Sequence, residues 1–363
     1  MLFCKQCGAE VEESFRFCEK CFANLSVPGA VVNNVGLASQ IAGKALESGD
    51  FFPDAFIYGY DLSGCRIGNY RLSEKTDTFL GSDYYSAVNI DSGEQVLVRY
   101  FNIADCAYSD RYKIYSGSQP NELTTLSVQI CDEEIKRYKS VCNQSKLLCA
   151  ELDVSTYISS KGNECHIFLV FSICEPLALK LKKQKMSVRD IVKIALDICE
   201  YLTEFERDNV TYNSIYESNV YIDSNGKGIL GAEFDRALQY KFIETPIAAG
   251  YSMYMPPDYR INENCAVYSL AVMLYKLFNG NRLPYMNFFN KNPDYSDYLN
   301  AEQNRNRFFE LQMPVNAENM LGNMLTGIIG NANWRDMKVI EVKKTLENAL
   351  NFLSASELDK TIN

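Results

Sequence analysis

Histidine is almost absent from this chain: His166 is the only one in 363 residues. No partner motif stands near it, so it is expected at the start of an alternating strand, near the surface, rather than as a base or ligand. Long apolar runs are missing as well. The two most apolar stretches, Ile167 to Cys174 and Tyr268 to Phe278, are short or interrupted by Lys276, and neither can span a bilayer. No basic, apolar segment opens the sequence, and a soluble cytoplasmic protein is expected. Positive charge is in deficit, with 36 Lys and Arg against 46 Asp and Glu and a net charge of −10. That balance opposes non-specific binding to nucleic acid or anionic lipid, so neither nucleic acid nor membrane is expected as a partner. A disulfide framework is lacking too. Nine of the 13 cysteines (Cys65, Cys106, Cys131, Cys142, Cys149, Cys165, Cys174, Cys199 and Cys265) fall singly and in odd number, and they read as free thiols.

The other four cysteines are different. They form two knuckles, Cys4-Lys5-Gln6-Cys7 and Cys18-Glu19-Lys20-Cys21, with ten residues between the second cysteine and the third. Each knuckle presents two thiolates from a tight turn, and the insert is long enough for a hairpin that closes a tetrahedral Cys4 centre. Such a site leaves no position open for water, so Zn²⁺ held by Cys4, Cys7, Cys18 and Cys21 is expected to be structural, supplying most of the folding free energy of a segment this small. Residues 1–25 also resemble the short zinc ribbons that open many bacterial proteins, with Cys-x-x-Cys-Gly followed by Phe17-Cys18-Glu19-Lys20-Cys21.

Residues 26–66 read as linker, rich in small residues at first, although Phe51, Phe52 and Phe56 are aromatic enough to dock on something. From Tyr70 the chain turns β-like. Tyr84 to Ile90 and Gln95 to Phe101 flank Asp91-Ser92-Gly93, a hairpin signal. A polar helical stretch is predicted over about 132–148, then strands over 156–160 and 166–173. After Ser187, Ile191, Ile194, Ala195, Ile198, Leu202 and Phe205 recur at helical spacing. An α+β protein is expected, with a β-rich lobe followed by an α-rich lobe.

The order of landmarks across residues 67–352 resembles a bacterial serine/threonine protein kinase. Val96-Leu97-Val98-Arg99 sits where that family ends a strand in its phosphate-pairing lysine, and Phe171 to Leu177 resembles the hinge between lobes. The run from Tyr212 to Asp223 follows the register of the catalytic loop, and Gly231-Ala232-Glu233-Phe234-Asp235 that of the magnesium motif. Tyr254-Met255-Pro256-Pro257-Asp258 resembles the close of the activation segment, Val267 to Gly280 the buried central helix, and Trp334-Arg335 the late arginine that pairs with Asp258. Residues 353–363 are left as a tail.

The same resemblance implies that phosphoryl transfer is impaired. Asp77, Phe79 and Ser82 occupy the three positions of the phosphate-covering glycines, and Arg99 replaces the lysine with a bulkier fork. Its partner glutamate has no secure counterpart: Glu133 and Glu134 lie early in the helix and Val141 falls at the position. Ser214 stands in place of the aspartate base and has no useful basicity, and Tyr216 removes a cation where negative charge develops. Glu233 replaces the magnesium aspartate, and Asn219 alone is unchanged. Ala266 replaces an aspartate that braces the catalytic loop from below. No catalytic residue is therefore expected. ATP and Mg²⁺ are disfavoured as cofactors; were they to bind, Arg99, Asn219 and Glu233 are the residues to hold them. A pseudokinase acting on protein partners as signalling scaffold or regulatory module is expected, against two alternatives: a divergent ATP-dependent kinase or nucleotidyl transferase, and a nucleotide sensor without turnover. Thr245, Ser252 and Tyr254 are hydroxyls that another kinase could phosphorylate.

Overall fold

The computed structural model describes residues 2–4, 10–11, 31–32, 50–51, 61–79, 82–102, 120–158, 165–172, 174–212, 215–232, 254, 265–280, 284, 318–330 and 337–362. Cys7, Cys18, Cys21, Ser214, Glu233, Asp258 and Arg335 lie outside them. Helix and sheet are both extensive, and the fold is α+β.

A small antiparallel sheet stands at the N-terminus, built from β1 (Leu2–Cys4), β2 (Glu10–Val11) and β3 (Val31–Val32) in the order β2-β1-β3. The main sheet has six strands: β4 (Arg66–Ile67), β5 (Tyr70–Phe79), β6 (Ser82–Asn89), β7 (Gln95–Asn102), β8 (Glu151–Ile158) and β9 (Cys165–Phe171), all antiparallel, in the order β4-β5-β6-β7-β9-β8. The hairpin expected at Asp91-Ser92-Gly93 joins β6 to β7, with Gly93 at φ 73° as such turns require.

Side chains alternate across a strand, and β7 sorts its residues accordingly. Val96, Val98 and Tyr100 join Phe168 and Val170 on one face, in a core completed by Phe51, Leu62, Cys65 and Ile67. Residues 50–51 and 61–66, within the stretch read as linker, thus cover this face of the sheet. On the other face Phe101 joins Ile167, Leu169 and Phe171 in the larger core shared with the helices, and Arg99 points the same way by its register. His166 departs from its surface expectation: it is fully buried, with Nδ1 3.0 Å from the Tyr100 hydroxyl and the Phe51 ring edge-on at 5.2 Å.

Helix α1 (Pro120–Ser145) begins a dozen residues before the predicted start and packs Ile135, Tyr138, Val141 and Cys142 inward at helical spacing. Two strands follow it, then β10 (Glu175–Pro176), α2 (Leu177–Lys183) and β11 (Met186–Ser187). The predicted stripe forms the inner face of α3 (Val188–Arg207), whose first turn is capped by Ser187 accepting from the Asp190 amide. A short hairpin, β12 (Val220–Ile222) with β13 (Gly228–Leu230), leads toward α4 (Cys265–Phe278), in which all 14 residues are buried. A helical segment of mixed α and π turns spans 318–330, followed by α5 (Val339–Phe352) and α6 (Ala355–Leu358). Residues 353–362, read as tail, are packed: Leu353 and Leu358 join the large core and β14 (Thr361–Ile362) pairs with β11. Among the described residues no helix is long and apolar enough to cross a membrane.

Candidate functional site

The three described residues of the sequence-predicted site, Arg99, Tyr216 and Asn219, sit where the helix-facing side of the main sheet meets the β12–β13 hairpin. All three are buried, at 3%, 2% and 2% exposure. Arg99 arrives from β7, directs Nε to the Ser82 hydroxyl at 3.0 Å, and lays its guanidinium 5.3 Å from the Phe101 ring centre. Ser82 is itself the first residue of β6, across the β5–β6 turn from Phe79.

Asn219 spends its amide locally. Its Oδ1 accepts from the Tyr216 amide at 2.9 Å, and its Nδ2 donates to the Tyr212 hydroxyl at 3.1 Å. That hydroxyl donates onward to the Gly231 carbonyl at 2.7 Å, while the Gly231 amide donates to the Asn219 carbonyl at 2.8 Å. The loop before β12 and the segment after β13 are therefore stitched to each other.

Two residues missed in the sequence complete this clamp. Tyr138 on α1 donates its hydroxyl to the Leu230 carbonyl, and Glu151 at the start of β8 accepts the Ala232 amide on Oε1 at 2.8 Å. Glu151 is 1% exposed, and its Oε2 has no hydrogen-bond partner among the described residues. Burial pushes its carboxyl up to about 7, against help from the Ala232 amide and the Arg99 charge. Gly231 is needed here for space. A Cβ would lie 2.5 Å from the Tyr221 ring and 2.6 Å from Glu151 Oε1.

Aromatic rings close the rest of the junction. Tyr221 is fully buried against Phe171, ring centres 4.7 Å apart, and burial holds its hydroxyl well above the usual phenol range. Tyr84 on β6 is likewise fully buried. The side chains named here bond chiefly to backbone amides and carbonyls, and so hold the segments on either side of the β12–β13 hairpin in place.

Beneath the loop lies a second polar group. Lys276 Nζ on α4 is 2.9 Å from Glu217 Oε1, the Tyr254 hydroxyl donates to Glu217 Oε2 at 2.7 Å, and Lys276 donates to that hydroxyl at 3.1 Å. Tyr254 is thus committed inside and offers no exposed acceptor for phosphate. Ser269, one turn after Ala266 on α4, accepts the Ile215 amide on its hydroxyl at 2.8 Å. The helix glutamate sought on α1 is not replaced by Val141, which is buried in the core; Glu134 is buried but binds Arg137 bidentately, at 2.6 and 3.0 Å.

Lys276 did leave a signal, a lone charge in an otherwise apolar run that must find an acid if the helix is buried. Glu151 left none. It is one acid at the edge of an ordinary strand.

Cys4 ends β1, and Cys7 falls in the connection from β1 to β2; among the described residues no group of three or more metal-ligating side chains gathers. No protein-family model matches the chain, and no curated protein matches it.

Proposed function

We propose that residues from about 50 to 362 form a kinase-like fold that has lost phosphoryl transfer and serves, in the cytoplasm, as a regulatory or scaffolding module for a protein partner. The observation that carries this reading is the use made of the would-be nucleotide residues. Asn219, which would hold a metal through Oδ1, gives that atom to the Tyr216 amide, and Arg99 turns to Ser82 and Phe101. Tyr221, on the strand that follows the catalytic-loop register, fills space against Phe171 and Gly231 instead of leaving it for a base. With Tyr216 in place of a cation, the charge stabilisation that phosphoryl transfer demands is missing at the point where it is needed.

The test is a thermal titration of the full chain with ATP and Mg²⁺ or Mn²⁺, followed by phosphotransfer and nucleotidylation assays. A ligand present at a hundred times its Kd stabilises by about 2.7 kcal/mol. No shift in midpoint and no transfer are expected. A saturable shift without turnover would favour the nucleotide sensor, and transfer that disappears on Asn219→Ala or Glu233→Ala would establish a divergent enzyme in its place.

The N-terminal residues are proposed as a zinc ribbon. The donor set fits a closed thiolate centre, and Cys4 stands at the end of a strand whose Leu2 and Phe3 pair antiparallel with Val11 and Glu10. Bound zinc would neutralise the thiolates and fix the turns. Metal analysis of the purified chain should find one zinc per molecule, falling to background in the Cys18→Ser, Cys21→Ser variant. Zinc well below half an equivalent in the wild type would remove the proposal.

A further inference from the structure

Positive charge, scarce in the chain as a whole, gathers in one place. Lys180, Lys182, Lys183, Lys185 and Arg189 put five bases and no acid into residues 180–189. They run from the last turn of α2 through β11 into the first turn of α3, and all five reach solvent. The pairing of β11 with β14 brings Lys360 alongside: Met186 lies opposite Ile362, Ser187 opposite Thr361, and the Val188 amide donates to the Lys360 carbonyl at 3.1 Å.

Helix chemistry accounts for only part of this cluster. Lys180, Lys182 and Lys183 suit the C-terminal end of α2, where the helix dipole is negative. Lys185 and Arg189 flank the N-terminus of α3, where the dipole is positive and bases are disfavoured. Three of the bases each meet one acid: Lys182 lies 2.8 Å from Asp77, Lys183 2.7 Å from Glu175, and Arg189 2.8 Å from Asp359. No side chain in these three pairs is less than 24% exposed, and pairs so wet exchange readily for another carboxylate. Lys180, Lys185 and Lys360 make no ion pair and no side-chain hydrogen bond among the described residues.

We propose that this surface docks an acidic segment of a protein partner, a short stretch of Asp and Glu whose carboxylates meet Lys180, Lys185 and Lys360. The proposal rests on the reading of the chain as a module for a protein partner, and names the chemistry of that partner. Charge complementarity carries it. The chain as a whole has a net charge of −10 and is more acidic still outside this cluster, so an acidic segment is repelled elsewhere and directed here. Nucleic acid fits less well: Asp77, Glu175 and Asp359 each lie against one of the bases and Asp190 follows Arg189, so a continuous phosphate backbone meets carboxylates along its path. A peptide can place its carboxylates singly.

The test is fluorescence anisotropy of a fluorescein-labelled peptide of ten glutamates, titrated with the full chain. Saturable binding that weakens with added salt is expected. The triple variant Lys180→Glu, Lys185→Glu, Lys360→Glu should bind at least about tenfold more weakly, and glutamine at the same three positions should cost a smaller factor. Lys136→Glu, Lys343→Glu, Lys344→Glu makes an equal change of charge on α1 and α5, and should bind within about threefold of wild type. Urea midpoints near that of the wild type are expected for all of these; should the charge reversal fold poorly, the glutamine variant carries the comparison. The proposal is overturned if the peptide does not bind, if the two sets of reversals weaken it equally, or if a ten-nucleotide oligonucleotide binds through these lysines more tightly than the peptide. ATP takes no part in the measurement, so failure here leaves the loss of phosphoryl transfer standing. Phosphoryl transfer by a chain that still binds the peptide through these lysines would overturn that reading and not this one.

Discussion

Replacing Lys276 with methionine is expected to cost about 3–5 kcal/mol of folding stability, the range for stranding one partner of a buried ion pair. Both charges are almost dry, with side-chain exposures of 7% for Lys276 and 5% for Glu217. Methionine keeps much of the aliphatic stem, so the loss reports the charge rather than a cavity. Glu217 would retain its bond from the Tyr254 hydroxyl and nothing on Oε1 to replace the ammonium. The cost should reach well beyond the pair, because it spans three separate pieces of chain: the loop at 215–219, position 254, and α4. Lys183→Ala supplies the comparison. Its bond to Glu175 is of similar length, 2.7 Å, but Lys183 is 64% exposed, and such a pair is worth no more than about 1 kcal/mol. Denaturant midpoints of the two variants decide the matter. A Lys276→Met protein no weaker than Lys183→Ala would mean that water reaches the triad. The double variant Lys276→Met, Glu217→Leu should recover much of the loss, since the burial penalty of both charges goes with them.

That triad marks the limit of what was legible in the sequence. Local chemistry was readable: Asp91-Ser92-Gly93 needs no distant partner to turn, and the stripe from Ile191 to Phe205 declares its buried face by period alone. Pro120 could have been read as the first residue of α1, where its missing amide costs nothing. What a period cannot say is which distant group a polar side chain meets. His166 looked like a strand-end surface residue because its neighbours alternate, yet both faces of the sheet are covered at β9, one by the helix-bearing core and the other by Phe51, Leu62, Cys65 and Ile67, so Ile167 to Phe171 are buried at inward and outward positions alike. Ser269, three residues after Ala266, was likewise unread, because its bond to the Ile215 amide spans 54 residues of chain. Nor does a register show that Arg99 turns to Ser82, or that Asn219 spends its side chain on the Tyr216 amide and the Tyr212 hydroxyl. Glu151 was invisible for the same reason. Its role comes from Ala232, eighty-one residues away in the chain.

Glu151 should give the protein a pH dependence opposite to that of most carboxylates. Its ordinary value of 4.5 is raised to about 7, with desolvation the dominant cause and the Glu134 charge adding to it, while the Ala232 amide and Arg99 oppose. Tyr138, Cys142, Cys149, Tyr201, Cys174 and Tyr221 also face it, and none of them carries positive charge. Between these two pH values the folded chain keeps a proton that the unfolded chain has released, so the folded state binds more protons and stability falls as pH rises. The stabilisation is fully present below about pH 4.5 and gone above about pH 7, and the interval is worth roughly 3 kcal/mol. Glu151→Gln removes the titration while keeping an oxygen for the Ala232 amide. The difference in unfolding free energy between variant and wild type, measured by urea from pH 5 to pH 8, isolates this one group, because every other carboxylate is common to both. The variant is expected to gain on the wild type by about 2–3 kcal/mol across that range. Its absolute position is a separate matter, since the new amide places a donor where Oε2 had no partner. Two parallel curves would mean that Glu151 is ionised in the folded protein throughout, held so by Arg99, and the buried pair would then be an ion pair rather than a neutral acid beside a guanidinium.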